Sequence, residues 1–267
     1  MKSLLKVTIP LIGVLAACSE GSTGNLSLAL TSRSPSGPTL ASRFGPGLAF
    51  APAVSTAGDS TTIVMGNDTI VLRSVELVLR EIELKRVETT TDCDSTVSDD
   101  ACEEFEVGPI LVALPLGTTT TETVVTISAP AGLYDELEFD IHKPEDSDDA
   151  AFIAAHPPFD GIAIRVMGTY SQAGTRGDFV YTSDLNAEQE MFLSPPITVI
   201  DGSGTNVTLR LDVGVWFLNE AGTALVDPAS ANKGQVNENV VKDRIQASVD
   251  AFRDDDRDGH DDDHEGT

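Results

Sequence analysis

The chain has 267 residues, a formal net charge of −26 and a hydrophobic content of 40%. This length is sufficient to bury a hydrophobic core without help from a structural metal. The negative charge argues against nucleic acid and anionic lipid headgroups as partners, because like charges repel, and it favours cations.

The first seventeen residues have the pattern of an export signal. Lys2 and Lys6 provide a basic start, and an apolar run from Val7 to Leu15 follows before small residues. The run is shorter than the ~20 apolar residues of a membrane-spanning helix. A basic start with a brief apolar segment is instead typical of a secretory signal, so residues 1–17 are predicted to be a signal peptide.

The signal ends in Leu15-Ala16-Ala17-Cys18, which resembles the lipobox of bacterial lipoproteins. This resemblance implies cleavage before Cys18, a diacylglyceryl group on its thiol and an amide-linked acyl chain. Several acyl chains anchor a protein stably, whereas one does so only marginally. Ser19 resembles the outer-membrane sorting pattern, so residues 18–24 are predicted to be a lipid anchor and tether in the cell envelope. An ordinary secretory signal with an incidental cysteine is the alternative.

The mature chain opens with one predicted strand. Leu26, Leu28 and Leu30 recur at every second position, which indicates a strand from Asn25 to Thr31. Residues 32–60 are rich in Ser, Pro, Gly and Ala, the composition of a linker or a long loop. Residues 25–62 are therefore assigned to a first strand with a linker or loop, and residues 63–252 to a folded domain.

Short strands dominate the predicted domain. Between residues 70 and 87 apolar side chains alternate, and the alternation shifts by one residue near Arg80 and Glu81, as a β-bulge would produce. A helix also fits this spacing, but the β-branched content favours strands. Further strands are predicted at residues 110–114, 122–128, 137–142, 161–170, 178–182, 197–200 and 206–217. Strands of this length between turn-forming residues predict an all-β, antiparallel β-sandwich.

Two cysteines remain once Cys18 is lipidated. Cys93 and Cys102 form an even pair in an oxidising compartment, which favours a local disulfide. Closing a loop of roughly ten residues would stabilise the fold by ~3 kcal/mol. Free thiols and metal ligands are the alternatives.

One helix is predicted near the end of the domain. Asn237 is a suitable N-cap, and an apolar stripe at helical spacing follows it, formed by Val241, Ile245, Val249 and Phe252. The pattern predicts a helix over residues 237–252.

Over residues 25–255 the chain resembles bacterial lipoproteins that carry an all-β domain of unknown function. Four short segments carry the resemblance: Ser74-Val75-Glu76-Leu77, Ala131-Gly132-Leu133-Tyr134, Gly168-Thr169-Tyr170 and Trp216-Phe217. None of them is a catalytic signature. The resemblance implies an all-β fold and an envelope location, and it implies no mechanism.

The acidic tail, residues 253–267, contains the motif with the clearest chemistry. Residues 254–259, followed five residues later by Glu265, fit the calcium-loop pattern D-x-D-x-D-G-x5-E. Calcium binds six to eight oxygens, and a tight loop with glycine at its sixth position directs alternate carboxylates inward. The predicted ligands are Asp254, Asp256, Asp258, the carbonyl oxygen of His260, Asp262 and Glu265.

Three features depart from this pattern. Asp261 stands where EF-hands place an aliphatic residue, no exiting helix follows in the sequence, and the sequence has no partner hand. The alternatives are a solvated acidic tail and a transition-metal site at His260 and His264. A second acidic array is predicted on the strand ending at His142, where Glu136, Glu138 and Asp140 share its face. That array is either a cation or sugar site or the solvated face of a sheet.

Catalytic signatures are missing from the sequence. It contains no G-x-S-x-G, P-loop, G-x-G-x-x-G or H-E-x-x-H motif, so the protein is not expected to be an enzyme. The predicted function is that of a membrane-anchored envelope lipoprotein, a non-catalytic binding or scaffold module with calcium ordering its C-terminus. A glycan-binding surface lipoprotein is the alternative, although only 5% of the residues are aromatic and sugars stack on exposed aromatic rings.

Overall fold

The computed structural model of the chain describes residues 23–32, 52–87, 108–117, 121–145, 147–172 and 174–262. Several predicted features lie outside these ranges. They are the signal peptide, the lipidation site Cys18, the disulfide pair Cys93 and Cys102, the calcium ligand Glu265, and His264 of the alternative transition-metal site. They stay predictions.

Within the described ranges the chain forms twelve strands and two short α-helices. The strands are β1 (Thr23–Thr31), β2 (Ala53–Ala57), β3 (Ser60–Met65), β4 (Asp68–Arg86), β5 (Ile110–Ala113), β6 (Glu122–Pro130), β7 (Gly132–Ile141), β8 (Ile164–Gln172), β9 (Thr175–Ser183), β10 (Ala187–Val199), β11 (Gly204–Leu211) and β12 (Val249–Arg253). The helices are α1 (Ala150–Ala155) and α2 (Glu238–Gln246). The predicted all-β sandwich with a C-terminal helix is confirmed.

The smaller sheet has four strands in the order β12-β11-β1-β6. β1 lies at its centre, because Leu28 pairs with Val207 of β11 on one side and with Val125 of β6 on the other. The β1–β11 pair is parallel, whereas the other strand pairs of the described chain are antiparallel. β1, the first strand among the described residues, is therefore part of the core architecture.

The larger sheet has eight strands and is organised by β4. Five of its strands are neighbours in the order β10-β7-β4-β3-β2. In addition, β5 and β8 pair with β4, and β9 pairs with β8. β4 has 19 residues, long enough to pair with four other strands along its length.

The predicted bulge in β4 is confirmed. The register with β7 shifts between Arg80 and Glu83, and Glu81 adopts a φ of 49°, which is uncommon for a residue with a side chain. Leu79 and Ile82 are consequently both buried, on either side of the shift. The extra residue keeps the apolar side chains of both halves of β4 in the core.

A single core fills the space between the sheets. It contains Leu26, Leu28 and Leu30 from the smaller sheet together with alternate residues of β4 and β7. Trp216 is fully buried there, and its Nε1 donates a hydrogen bond of 2.8 Å to Ser248 Oγ. The only tryptophan is therefore a core residue.

The helix predicted over residues 237–252 is too long. α2 ends at Gln246, and Val249 and Phe252 lie on β12, where they pair with Leu211 and Thr208 of β11. The hydroxyl of Ser248 donates to the Ile245 carbonyl oxygen, a local bond that competes with helix continuation. Pairing with β11 then satisfies the backbone of residues 249–253 in place of further helical turns.

Two other boundaries differ from the predictions. β11 ends at Leu211, and a 3-10 turn over Val213–Val215 precedes Trp216, so the strand predicted for residues 206–217 is too long. The linker prediction is wrong for residues 53–60, because β2 forms an antiparallel hairpin with β3. Its Ser and Thr content resembles a linker, but β2 lies at the edge of the sheet, where polar side chains face solvent.

Candidate metal centre

The predicted calcium loop begins where β12 ends. Asp254 N donates to the Asn206 carbonyl oxygen at 3.3 Å, which extends the β11–β12 pairing by one bond. Eight residues later, Asp262 N donates to the Arg253 carbonyl oxygen at 3.2 Å. Residues 254–262 therefore form a loop that closes on its own starting point.

Asp254 organises the loop from a fully buried position. Its Oδ2 accepts hydrogen bonds from Thr208 Oγ1 at 2.8 Å and from Gly259 N at 3.0 Å, and its Oδ1 accepts one from Asp258 N at 3.0 Å. Burial raises the pKa of the Asp254 carboxyl, and these hydrogen bonds oppose the rise. The side chain thus joins the sheet to the turn of the loop.

Gly259 occupies the sixth position of the motif, and its φ of 83° is one that residues with a Cβ rarely adopt. Arg257 also has a positive φ, of 60°. Its guanidinium donates to Asn206 Oδ1 from Nε at 3.0 Å and from Nη2 at 2.6 Å. The tight turn is therefore held against β11 by a side chain of the loop itself.

Three of the predicted ligands converge. Asp254, Asp256 and Asp262 each offer a carboxylate oxygen, and the three oxygens lie within 4.8 Å of one another. Oxygens bound to one calcium ion at ~2.4 Å are at most about 5 Å apart, so this spacing fits the ion. Hard carboxylate oxygens also suit calcium better than a soft transition metal.

The other predicted ligands are placed differently. Asp258 is absent from the converging trio, and its Oδ1 accepts a hydrogen bond from His260 N at 2.8 Å. His260 is half-buried. Residues 254–262 fold against the sheet, while Asp255, Asp256 and Arg257 remain exposed to solvent.

The sequence pattern identified the carboxylates but not their attachment to the sheet. Thr208 and Asn206 of β11 hold the loop through the bonds given above, and Thr121 Oγ1 donates to the Arg257 carbonyl oxygen at 2.9 Å. Their only sequence signal is a polar side chain on a predicted strand or, for Thr121, directly before one. Such residues are common on solvated strand faces, so this signal is weak.

The second acidic array is borne out in part. Leu137, Phe139 and Ile141 of β7 are buried, so Glu136, Glu138, Asp140 and His142 share the opposite face as predicted. The fold adds a third glutamate from β10, and oxygens of Glu136, Glu138 and Glu190 lie within 4.8 Å of one another.

A lysine already occupies this second cluster. Lys85 Nζ lies 2.5 Å from Glu138 Oε1 and 3.4 Å from Glu136 Oε1, and the hydrogen bond to Glu138 raises the pKa of Lys85. Burial, together with hydrogen bonding to Glu138, raises the pKa of the Glu136 carboxyl. An ammonium group at this place competes with a metal ion, so the Asp254 loop is the better candidate for calcium.

A shallow cleft of about 250 Å³ lies between β4 and the segment after β5. Its ionisable lining residues are Asp59, Arg73 and Glu122. Among the described residues, neither histidine nor cysteine lines it.

Comparisons of the chain with protein-family models, with curated proteins and with solved structures found no match. Within the described ranges, no helix combines the length and the apolar character needed to cross a bilayer.

Proposed function

We propose that the protein is a membrane-anchored envelope lipoprotein whose β-sandwich is a non-catalytic binding or scaffold module with a calcium-binding C-terminal loop. One observation carries the calcium proposal: the carboxylate oxygens of Asp254, Asp256 and Asp262 converge within 4.8 Å in a loop held on the sheet. These residues occupy positions one, three and nine of the calcium-loop pattern.

The chain offers further oxygens to complete the coordination. Asp258, the carbonyl oxygen of His260 and Glu265 are the remaining predicted ligands. Calcium accepts six to eight oxygens in a flexible geometry, and bound calcium would offset the repulsion among these carboxylates. The hydrogen bond between Asp254 and Thr208 would transmit this stabilisation to β11.

The glycan-binding alternative has weaker support. Trp216, the only tryptophan, is fully buried and offers no face for sugar stacking. A cation-ordered module therefore remains the preferred interpretation.

A calorimetric calcium titration of the full chain in detergent tests the proposal. We expect saturable one-site binding, weakened about tenfold or more in the double variant Asp256→Asn/Asp262→Asn, because two negatively charged ligands are lost. Asparagine keeps the shape and an acceptor oxygen, so the loop should still fold.

The matched control is Asp160→Asn/Asp243→Asn, which removes the same charge from two exposed positions elsewhere. Calcium should also raise the unfolding temperature of the wild type and of this control relative to a chelator, by mass action. Equal binding by all three proteins would show diffuse attraction to a polyanion and would refute the site.

A further inference from the structure

The outer surface of β4, β7 and β10 carries a band of carboxylates. We call it the acidic face, and it consists of Glu83, Glu136, Glu138, Asp140, Glu188 and Glu190. Strand register places like charges side by side, since Glu138 pairs with Glu83 on one side and with Glu190 on the other, while Asp140 pairs with Glu188. Opposed like charges on neighbouring strands destabilise a sheet.

Lys85 and Arg80 of β4 border these carboxylates. Lys85 bonds to Glu138 and Glu136, as described above. Arg80 lies opposite Asp140, but its guanidinium also lies 3.8 Å from Glu145 and 3.7 Å from Asp149. The acidic face therefore keeps an excess of negative charge.

Burial and neighbouring carboxylates act together on this face. Burial raises the pKa of Asp140, and the charges of Glu81 and Glu188 raise it further. The pKa of the Glu136 carboxyl is raised as well, as described above. The folded protein thus holds carboxylates close together at an energetic cost.

Large apolar side chains adjoin the acidic face. Phe192 of β10 is 73% exposed and lies opposite Glu136 in the strand register. Leu133 of β7 is 44% exposed and lies opposite Thr198. Their neighbours Leu193 and Tyr134 point into the core, so Phe192 and Leu133 point outward beside the carboxylates. Aromatic side chains are enriched at protein–protein interfaces, so Phe192 offers a partner an apolar contact beside the carboxylates.

We propose that the acidic face, with Phe192 and Leu133 at its border, docks a basic amphipathic segment of a partner protein. Lysine or arginine side chains of that segment pair with the exposed carboxylates of β10, Glu188 and Glu190, and an apolar side chain packs on Phe192. Charge complementarity selects this occupant, because a cationic chain relieves the repulsion that the isolated sheet retains. The surface is separate from the calcium loop and does not depend on it.

Fluorescence anisotropy with the full chain in detergent and a labelled synthetic peptide tests the docking. The probe is a twelve-residue peptide of alternating Lys and Ser with one central Leu, compared with its Glu-for-Lys and Ser-for-Leu counterparts. We expect binding of the Lys/Leu peptide, a loss of binding with Glu, and weaker binding without Leu. The affinity should also fall steeply with salt.

The decisive variant is Glu188→Gln/Glu190→Gln, which removes one member of both like-charge pairs between β7 and β10 and leaves Lys85 with Glu138. We expect peptide binding to weaken roughly fivefold to tenfold, while the unfolding temperature stays equal or rises by about 2 °C as repulsion is relieved. Phe192→Ser should weaken binding of the Lys/Leu peptide but not of the peptide without Leu. A purely structural role for these residues would not separate binding from stability in this way.

The same Asp160→Asn/Asp243→Asn control should bind the peptide as the wild type does. Equal weakening in that control would reduce the effect to net charge and overturn the proposal, as would binding that is indifferent to Glu188, Glu190 and Phe192. Self-association through this face that excludes the peptide would identify a second copy as the occupant and would also overturn it. Asp256→Asn/Asp262→Asn should leave peptide affinity unchanged, which separates this proposal from the calcium site.

Discussion

At the scale of single residues, Thr208 and Asp254 link the candidate site to the sheet. Thr208 is fully buried on β11, and its hydroxyl donates to a carboxylate that is itself fully buried. A buried carboxylate needs its hydrogen-bond donors, since losing one leaves part of its charge without compensation. The contact therefore supports both the stability of the fold and the position of a predicted calcium ligand.

Thr208→Val tests this contact, because valine keeps the shape of threonine and removes the hydroxyl. We expect the free energy of unfolding to fall by about 1–3 kcal/mol, the cost of leaving a buried acceptor without its partner. Urea denaturation measures the change, and Thr208→Ser, which retains a hydroxyl, should recover much of the loss. Equal stability of the valine variant and the wild type would show that the bond contributes little.

At the scale of elements, an ion-pair network fastens α2 to the end of β9. Lys242 Nζ lies 2.6 Å from Asp184 Oδ1 and 2.7 Å from Glu238 Oε1, and Lys233 Nζ lies 2.6 Å from Asp184 Oδ2. The hydrogen bonds from Lys233 and Lys242 lower the pKa of the Asp184 carboxyl from 3.8 to about 2. The charged form of Asp184 is therefore favoured in the folded state.

A lowered pKa in the folded state means that Asp184 contributes stability above about pH 4. This contribution is lost as the pH falls from about 4 to about 2, because the unfolded chain takes up a proton in this range that the folded protein does not yet bind. Asp184→Asn should lower the unfolding temperature at pH 7 by about 2 °C and flatten its decline in that acid range. Thermal melts between pH 2 and 7 measure both effects. Asp178→Asn, at a solvent-exposed ion pair with Arg73, should retain the wild-type decline.

The same helix shows where local pattern is insufficient. The apolar stripe from Val241 to Phe252 fits helical spacing, yet only Val241 and Ile245 of this stripe lie in the helix. Val249 and Phe252 are buried by strand pairing instead. Both arrangements bury the same side chains, and the free edge of β11 decides between them.

At the scale of the whole molecule, β1 connects the fold to the predicted anchor. Thr23 begins β1 five residues after Cys18, a separation that spans at most ~17 Å in an extended chain. Asn25 pairs with Gly204 of β11, and Asp254 bonds to Asn206 on the same strand. With Cys18 lipidated as proposed, the calcium loop would begin near the end of the sheet that faces the membrane.

The anchor is testable by intact-mass spectrometry of the protein from a bacterial membrane fraction. We expect a mature chain beginning at Cys18 that carries the added mass of a diacylglyceryl group and an acyl chain. Cys18→Ser should lack this mass and leave the membrane fraction, since stable anchoring needs more than one acyl chain. An unmodified cysteine in the wild type would support an ordinary secretory signal instead.

The sequence by itself determined the features that depend on neighbouring residues. Alternation of apolar side chains indicated the strands, the one-residue shift indicated the bulge in β4, and the spacing of aspartates around Gly259 indicated the loop. Each of these features has a short period, so a few consecutive residues contain it.

Only the tertiary structure decided which distant residues meet. The parallel pairing of β1 with β11, the contact of Thr208 with Asp254, and the placing of Glu190 and Lys85 beside Glu136 all join segments far apart in the chain. A strand pattern specifies a buried face but not the neighbour at its edge, and that neighbour is selected by the packing of the whole core.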